Sequence, residues 1–207
     1  MTACALALVL LMDVSGSVST ERFALQRDGT AHAFANPRVA AFISPDRPVA
    51  VTAIQWASSQ HTVLPWRILR DAADLAAADT ALAAHSREES GLTGLGDALQ
   101  AGVSAFATMP CAADRQVIDI SGDGASNTGA EPEPARQAAI SAGITINGLP
   151  IVTEGEPTVA DYYRKSVVTP DGFVVEAHGF DDVARAMGRK LAAEIAGAVP
   201  GMEWAGR

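Results

Sequence analysis

Residues 3–12, ACALALVLLM, form an apolar run with no polar side chain, and the run stops at Asp13. It is far shorter than the roughly 20 residues that cross a bilayer. A strand with one wet face would alternate with polar residues, so an unbroken run of this length fits a strand covered on both faces, as in the middle of a parallel sheet. The same residues resemble a signal-peptide core, but no basic residue precedes them and DVSGSVS follows where a small-residue cleavage site would stand. Residues 5–12 are therefore read as a buried first strand.

Short apolar runs alternate with helical patterns along the rest of the chain. Residues 19–34 place Phe23, Arg27, Thr30 and Phe34 on one side of a helix opened by a Ser or Thr cap. Residues 49–56 and 62–66 flank ASSQH as a β-hairpin, and Pro65 assigns the second strand to a sheet edge because proline donates nothing to the ladder. Helices are predicted over the alanine-rich residues 70–85 and over 95–108, where Leu95, Leu99, Val103 and Phe106 recur at helical spacing. Strands are predicted at 115–120 and 144–152, with a short helix over 134–142 between them. TPDG introduces a last strand at 173–176, and a final helix over 179–198 carries Phe180, Val183, Met187, Leu191 and Ile195 on one face. This order implies one α/β domain over residues 1–207, a three-layer, doubly wound, mostly parallel six-stranded sheet with one antiparallel edge strand.

Composition limits the partners. Hydrophobic residues make up 48% of the 207 and charged residues 19%, enough to bury a sizeable core. Fifteen Lys and Arg against 24 Asp and Glu give a net charge of −9 and no basic run, which argues against a nucleic-acid binder. Cys4 and Cys111 are too few and too far apart for a disulfide framework and are read as two buried thiols. His32, His61, His85 and His178 are scattered without metal-ligand spacing, so a histidine-zinc enzyme is not expected.

In doubly wound folds ligands bind beyond the carboxyl ends of the strands. Asp13-Val14-Ser15-Gly16-Ser17 follows the first strand, Ser121-Gly122-Asp123-Gly124 follows the fourth, and Gly91-Leu92-Thr93-Gly94 precedes a helix between them. The site residues expected are Asp13, Ser15, Ser17, Thr93 and Asp123. Two carboxylates balance one divalent cation, and three neutral hydroxyls add oxygen ligands without adding charge, a hard set that suits Mg²⁺ or Mn²⁺. Taken singly, D-x-S-x-S is equally a helix entry, Thr93 reads as a loop hydroxyl and Asp123 between two glycines as a turn; their joint occurrence at strand ends and a helix start points to a metal site.

With these residues in place the chain resembles the von Willebrand factor A (vWA) family, whose metal-ion-dependent adhesion site (MIDAS) combines D-x-S-x-S after the first strand, a Thr in a later loop and an Asp after the fourth strand. VLLMDVSGSVS, IQWA with VLPW, GLTGLGDAL, RQVIDISGDGASNTG and AGITINGLPI are similar to a bacterial branch of that family with no assigned function. The resemblance implies a Rossmann-like fold and a protein-binding module that holds Mg²⁺, or Mn²⁺ or Ca²⁺, and engages an Asp or Glu of a protein partner. It implies a binding function rather than an enzymatic one. It also implies a periplasmic or secreted location, whereas the absence of a signal peptide from this numbering leaves the cytoplasm as the alternative.

Two enzymatic readings compete. SGDGASN is similar to the late signature of haloacid-dehalogenase-type phosphatases, but their first motif requires a second Asp where this chain has Ser15, and their late motif a carboxylate where it has Asn127. A serine hydrolase through Ser15 or Ser126 lacks the G-x-S-x-G elbow. Among the remaining polar and aromatic residues, Asp119 is expected to make a strand-end polar contact, the alternative being burial near the site. Asn127 is expected to bond backbone, Trp56 and Trp66 to pack on the hairpin, Tyr162 and Tyr163 to pack in the core or at a partner surface, and Asp181-Asp182 to favour a helix N-terminus.

Overall fold

The structure is a computed structural model that describes residues Thr2 to Gly197. Its strands are β1 (Thr2–Cys4), β2 (Leu6–Asp13), β3 (Val49–Trp56), β4 (Gln60–Leu69), β5 (Cys111–Ala113), β6 (Gln116–Gly122), β7 (Ile144–Val152) and β8 (Ala177–His178). Its helices are α1 (Thr20–Ala33), α2 (Pro37–Ala40), α3 (Ala72–Ala83), α4 (Leu95–Ala105), α5 (Pro132–Ala142), α6 (Val159–Tyr162) and α7 (Val183–Ala196). The main sheet has the order β4-β3-β2-β6-β7-β8, and only β4 runs antiparallel to its neighbour. The expected six-stranded α/β sheet with one antiparallel edge is the fold observed.

All eight residues of β2 are buried, and the period of two divides them between two cores. Leu6, Leu8, Leu10 and Met12 pack with Phe23 of α1 and Phe34 at its C-terminal end, Leu75 and Leu82 of α3, and Met187 and Leu191 of α7. Ala7, Val9 and Leu11 pack on the other face with Leu95 and Leu99 of α4 and Ala135 and Ala139 of α5. Burying a Leu or Val side chain contributes about 1.5–3 kcal/mol, so a strand covered on both faces anchors both layers at once. Strand order reverses at β2, which has β3 on one side and β6 on the other, and so opens a crevice beyond the tips of β2 and β6.

Local signals act as expected at several boundaries. The Ser19 side chain accepts the Arg22 N–H at 3.2 Å and caps α1. Pro65 sits where the β3–β4 register shifts, a bulge that tolerates a missing donor. Of the side expected for α1, Phe23, Thr30 and Phe34 are buried, while Arg27 is only half-buried and its neighbour Gln26 is buried instead.

Four expectations change. The strand expected at 173–176 reduces to one bridge, Gly148 with Val174, before the two-residue β8. The final helix starts with a 3₁₀ turn, Phe180–Asp182, and residue 198, its expected end, lies outside the described residues. Cys4 and Cys111 are buried but joined by a disulfide, with Cα atoms 5.9 Å apart. They are 107 residues apart in sequence, and parallel pairing of β1 with β5 brings them together. Asp119 makes no strand-end contact: it lies inside β6, buried, with Oδ1 2.6 Å from Nζ of Lys190 on α7. Alternation along β6 turns Ile118 and Ile120 toward α4 and α5, which leaves Asp119 facing α7.

Candidate metal centre

Asp13 is the last residue of β2 and is fully buried. Its Oδ1 accepts the Ser15 N–H at 2.7 Å, which folds the chain back over the strand tip, while Oδ2 has no hydrogen-bond partner. Ser15 Oγ lies 3.2 Å from Ser17 Oγ, and Ser17 Oγ donates to Asp123 Oδ1 at 2.6 Å. Asp123 follows the tip of β6 and is 3% exposed, so the two carboxylates sit at adjacent strand ends with the serine hydroxyls between them. Burial, and secondarily the charge of Asp123, push the Asp13 carboxyl up to about 7 against the lowering effect of its Ser15 hydrogen bonds.

Thr93 reaches the same place from the loop before α4. Its N–H donates to Asn127 Oδ1 at 2.8 Å, and the Asn127 N–H donates back to the Thr93 carbonyl at 3.0 Å. These two bonds tie the Thr93 loop to the turn after β6, the backbone role expected of Asn127. Ser17, Thr93 and Asp123 line one cavity of about 460 Å³ with Arg22, Gly124, Ser126 and Glu156. All five expected residues therefore gather at one crevice, four through a chain of short contacts and Thr93 on its wall.

Several supports were not read from the sequence. Gln26 of α1 donates to the Asp13 carbonyl at 2.8 Å from a fully buried position. Arg87 donates to the carbonyls of Val14 and Ser15, both at 2.6 Å through Nη2, and so pins the backbone that presents the serines. The Gly16 N–H donates to the Gly91 carbonyl at 2.7 Å, joining the two loops. A Cβ on Gly122 would stand 2.7 Å from Asp13 Oδ2, 2.8 Å from the Tyr163 hydroxyl and 3.1 Å from the Trp56 ring, so glycine is required for the strands to close. Neither Gln26 nor Arg87 carries a signal in the sequence: Gln26 lies one position off the stripe of Phe23, Arg27 and Thr30, and Arg87 sits in an irregular segment with no periodicity.

The other residues take structural places. Trp56 is fully buried, and Trp66 donates its indole N–H to the Ala105 carbonyl at 3.2 Å. Tyr163 is in the core, while the Tyr162 hydroxyl accepts the Ser126 N–H at 3.3 Å. Asp182 Oδ2 accepts the His178 N–H at 3.0 Å. Among the described residues no histidine hydrogen-bonds Ser15 or Ser126, and the Ser126 hydroxyl is directed to the Thr93 and Thr128 carbonyls.

The donor set fits a hard divalent cation. Two buried carboxylates in mutual repulsion, one oxygen of which has no hydrogen bond, have no compensating charge at full contact among the described residues; the nearest described cation is Arg22 Nη1, 3.7 Å from Asp123 Oδ2. Among the described residues no group of three or more His, Cys, Asp or Glu forms a metal site, so the candidate here depends on hydroxyls. No described helix is long and apolar enough to cross a membrane.

A family model described as "Protein of unknown function (DUF1194)" matches residues 3–199. No curated protein matches the chain in sequence. Among solved structures, proximal thread matrix protein 1 from the mussel byssus aligns with a TM-score of 0.68 at 15% identity, over 94% of this chain and 49% of that one. Another structure of that protein is described as having a zinc-occupied MIDAS motif. A von Willebrand factor type A structure from Catenulispora acidiphila aligns with a TM-score of 0.65 at 20% identity, over 93% of this chain and 43% of that one. The pilus adhesin SpaC from Lactobacillus rhamnosus GG aligns with a TM-score of 0.68 at 14% identity, over 94% and 30% respectively. The chain thus spans less than half the length of each, and the fold they share with it is that of the vWA domains.

Proposed function

For this chain, which belongs to the DUF1194 family and has a vWA fold, we propose a divalent-metal-dependent protein-binding module. The observation that carries this reading is the Asp13–Asp123 pair: two buried carboxylates at adjacent strand tips, with Ser15, Ser17 and Thr93 around them and Asp13 Oδ2 without a partner. Asp13, Ser15, Ser17, Thr93 and Asp123 would hold Mg²⁺, Mn²⁺ or Ca²⁺, and the bound cation would supply positive charge to an acidic group of a protein partner. Ser15 and Ser17 contribute oxygen without charge, so two carboxylates leave the cation able to attract a third anion. Arg87 and Gln26 hold the carbonyls of Asp13, Val14 and Ser15 and keep the serine hydroxyls aimed at the crevice. The zinc-occupied MIDAS of the byssus protein and the adhesin role of SpaC support a binding rather than a catalytic reading. The disulfide supports an oxidising compartment, in keeping with a periplasmic or secreted protein.

Isothermal titration with Mg²⁺ and with Mn²⁺ tests the reading. Binding is expected in the native chain and a loss of at least about tenfold in Asp13→Ala and in Thr93→Ala, the equivalent of about 1.4 kcal/mol each. Unchanged metal affinity in both variants overturns it.

A further inference from the structure

We propose that Arg22 is a second anchor for the acidic group, so that the partner's carboxylate is gripped by the guanidinium as well as by the metal site; this rests on the metal-binding reading above. Arg22 lies in the first turn of α1 and lines the same cavity as Ser17, Thr93 and Asp123. Its Nη1 donates to the Ser17 carbonyl at 3.0 Å and stands 3.7 Å from Asp123 Oδ2, and its guanidinium carbon is 5.2 Å from the centre of the Phe180 ring. Three contacts from three segments therefore orient a side chain that is still 43% exposed. Nε and Nη2 make no hydrogen bond among the described residues, so the two donors that form the fork of an arginine remain for a ligand.

Charge in the cavity points the same way. Arg22 is the one cation among the described residues lining it, and Glu156 lines it too. An anion entering the cavity is repelled by Glu156 and attracted by Arg22, which directs it to the Ser17 side. Where Asp123 shares its charge with a divalent cation, its ion pair with Arg22 weakens, and the guanidinium charge becomes available to the newcomer. A carboxylate has two oxygens, one for the hydroxyl-ringed crevice and one for the guanidinium edge. An amide offers a single neutral acceptor and gains neither charge-assisted contact. Arg rather than Lys is the suited residue, because the planar fork keeps its geometry while one edge stays bonded to Ser17.

The test uses the full 207-residue chain with Mn²⁺, followed by water-proton relaxation, and two capped tripeptides, Gly-Glu-Gly and Gly-Gln-Gly. Mn²⁺-loaded protein is expected to bind the Glu peptide and not the Gln peptide. Arg22→Ala is expected to keep Mn²⁺ affinity within about threefold and to weaken the Glu peptide at least about tenfold, with Arg22→Lys between the two. Equal Glu-peptide affinity in the native chain and Arg22→Ala, with Mn²⁺ bound to both, overturns the role of Arg22 and leaves the metal reading standing. Loss of Mn²⁺ affinity in Arg22→Ala also overturns it, by making Arg22 a support of the metal site. Absence of Mn²⁺ binding in the native chain overturns the metal reading, and this proposal with it.

Discussion

Lys190, on the C-terminal helix, holds Asp119 of the central strand β6 at 2.6 Å and Glu194 of its own helix at 2.6 Å, and all three side chains are buried. Asn147 of β7 completes the cluster: its Nδ2 donates to Glu194 Oε1 at 2.9 Å and its Oδ1 accepts the Phe173 N–H at 2.9 Å. A charge in such a place is tolerated only while it is paired. The cluster therefore fixes where α7 lies along β6, the strand whose tip leads to Asp123.

Lys190→Met leaves Asp119 and Glu194 to face each other without a cation. A loss of about 3–5 kcal/mol in unfolding free energy is expected by urea titration. Lys165→Met, at an exposed position, is the control and should stay within about 0.5 kcal/mol of the native chain. Equal stabilities would show that the cluster is not what secures α7.

Glu194 gives this stability a pH dependence. Burial, then the charge of Asp119, raise its carboxyl to about 8 against the opposing pull of Lys190. The folded state thus keeps a proton that the unfolded chain has released above the ordinary value of 4.5. Its contribution is fully present below that value and is lost as pH rises through about 8, at up to about 1.4 kcal/mol per pH unit. Asp13, raised to about 7, acts in the same direction at lower pH, so the interval from 7 to 8 belongs chiefly to Glu194. Urea titrations at pH 6, 7 and 8 should show a decline in the native chain that Glu194→Gln flattens between the last two; a parallel decline in both rules out Glu194 as its source.

Gly122→Ala tests the closeness of the strand tips. The new methyl would meet Asp13 Oδ2 and the Tyr163 hydroxyl inside 3 Å, with Trp56 behind them. A destabilisation of about 1–3 kcal/mol is expected together with weakened Mn²⁺ binding, because Asp13 is the group displaced. Gly124→Ala, where a Cβ meets nothing within 4 Å, should leave both unchanged.

The disulfide closes a loop with 107 residues of sequence separation. Replacing both Cys4 and Cys111 by Ser should lower stability by about 2–5 kcal/mol, and a reductant should lower the native chain to the same level. Mn²⁺ affinity should not follow, since the bridge lies before β2 and the proposed metal site beyond its other end, roughly 25 Å away at strand rise. A matched fall in Mn²⁺ affinity would tie the two ends of the sheet together.

Much of the architecture was legible because its signals are local. The apolar run before Asp13, the hairpin around ASSQH and the bounds of β7 depend on side-chain period and turn residues within a few positions. The convergence of Asp13, Ser15, Ser17 and Asp123 was legible for a related reason: in a parallel sheet strand ends share one side, so polar residues after β2 and β6 meet. The residues that hold them were not. Gln26 is a polar residue one position off the helix stripe and acts on the carbonyl of Asp13, and Arg87 acts through carbonyls 72 and 73 residues away.

By itself the sequence determined the layers, the antiparallel edge and the strand-tip cluster, since each follows from periodicity and from the order of elements. Only the tertiary structure decided that Cys4 meets Cys111, that Asp119 meets Lys190, and that Arg22 turns its guanidinium into the crevice. These contacts depend on which strands become neighbours and on how a helix is placed over them, and that is set by the packing of two whole cores, not by any stretch of residues read alone.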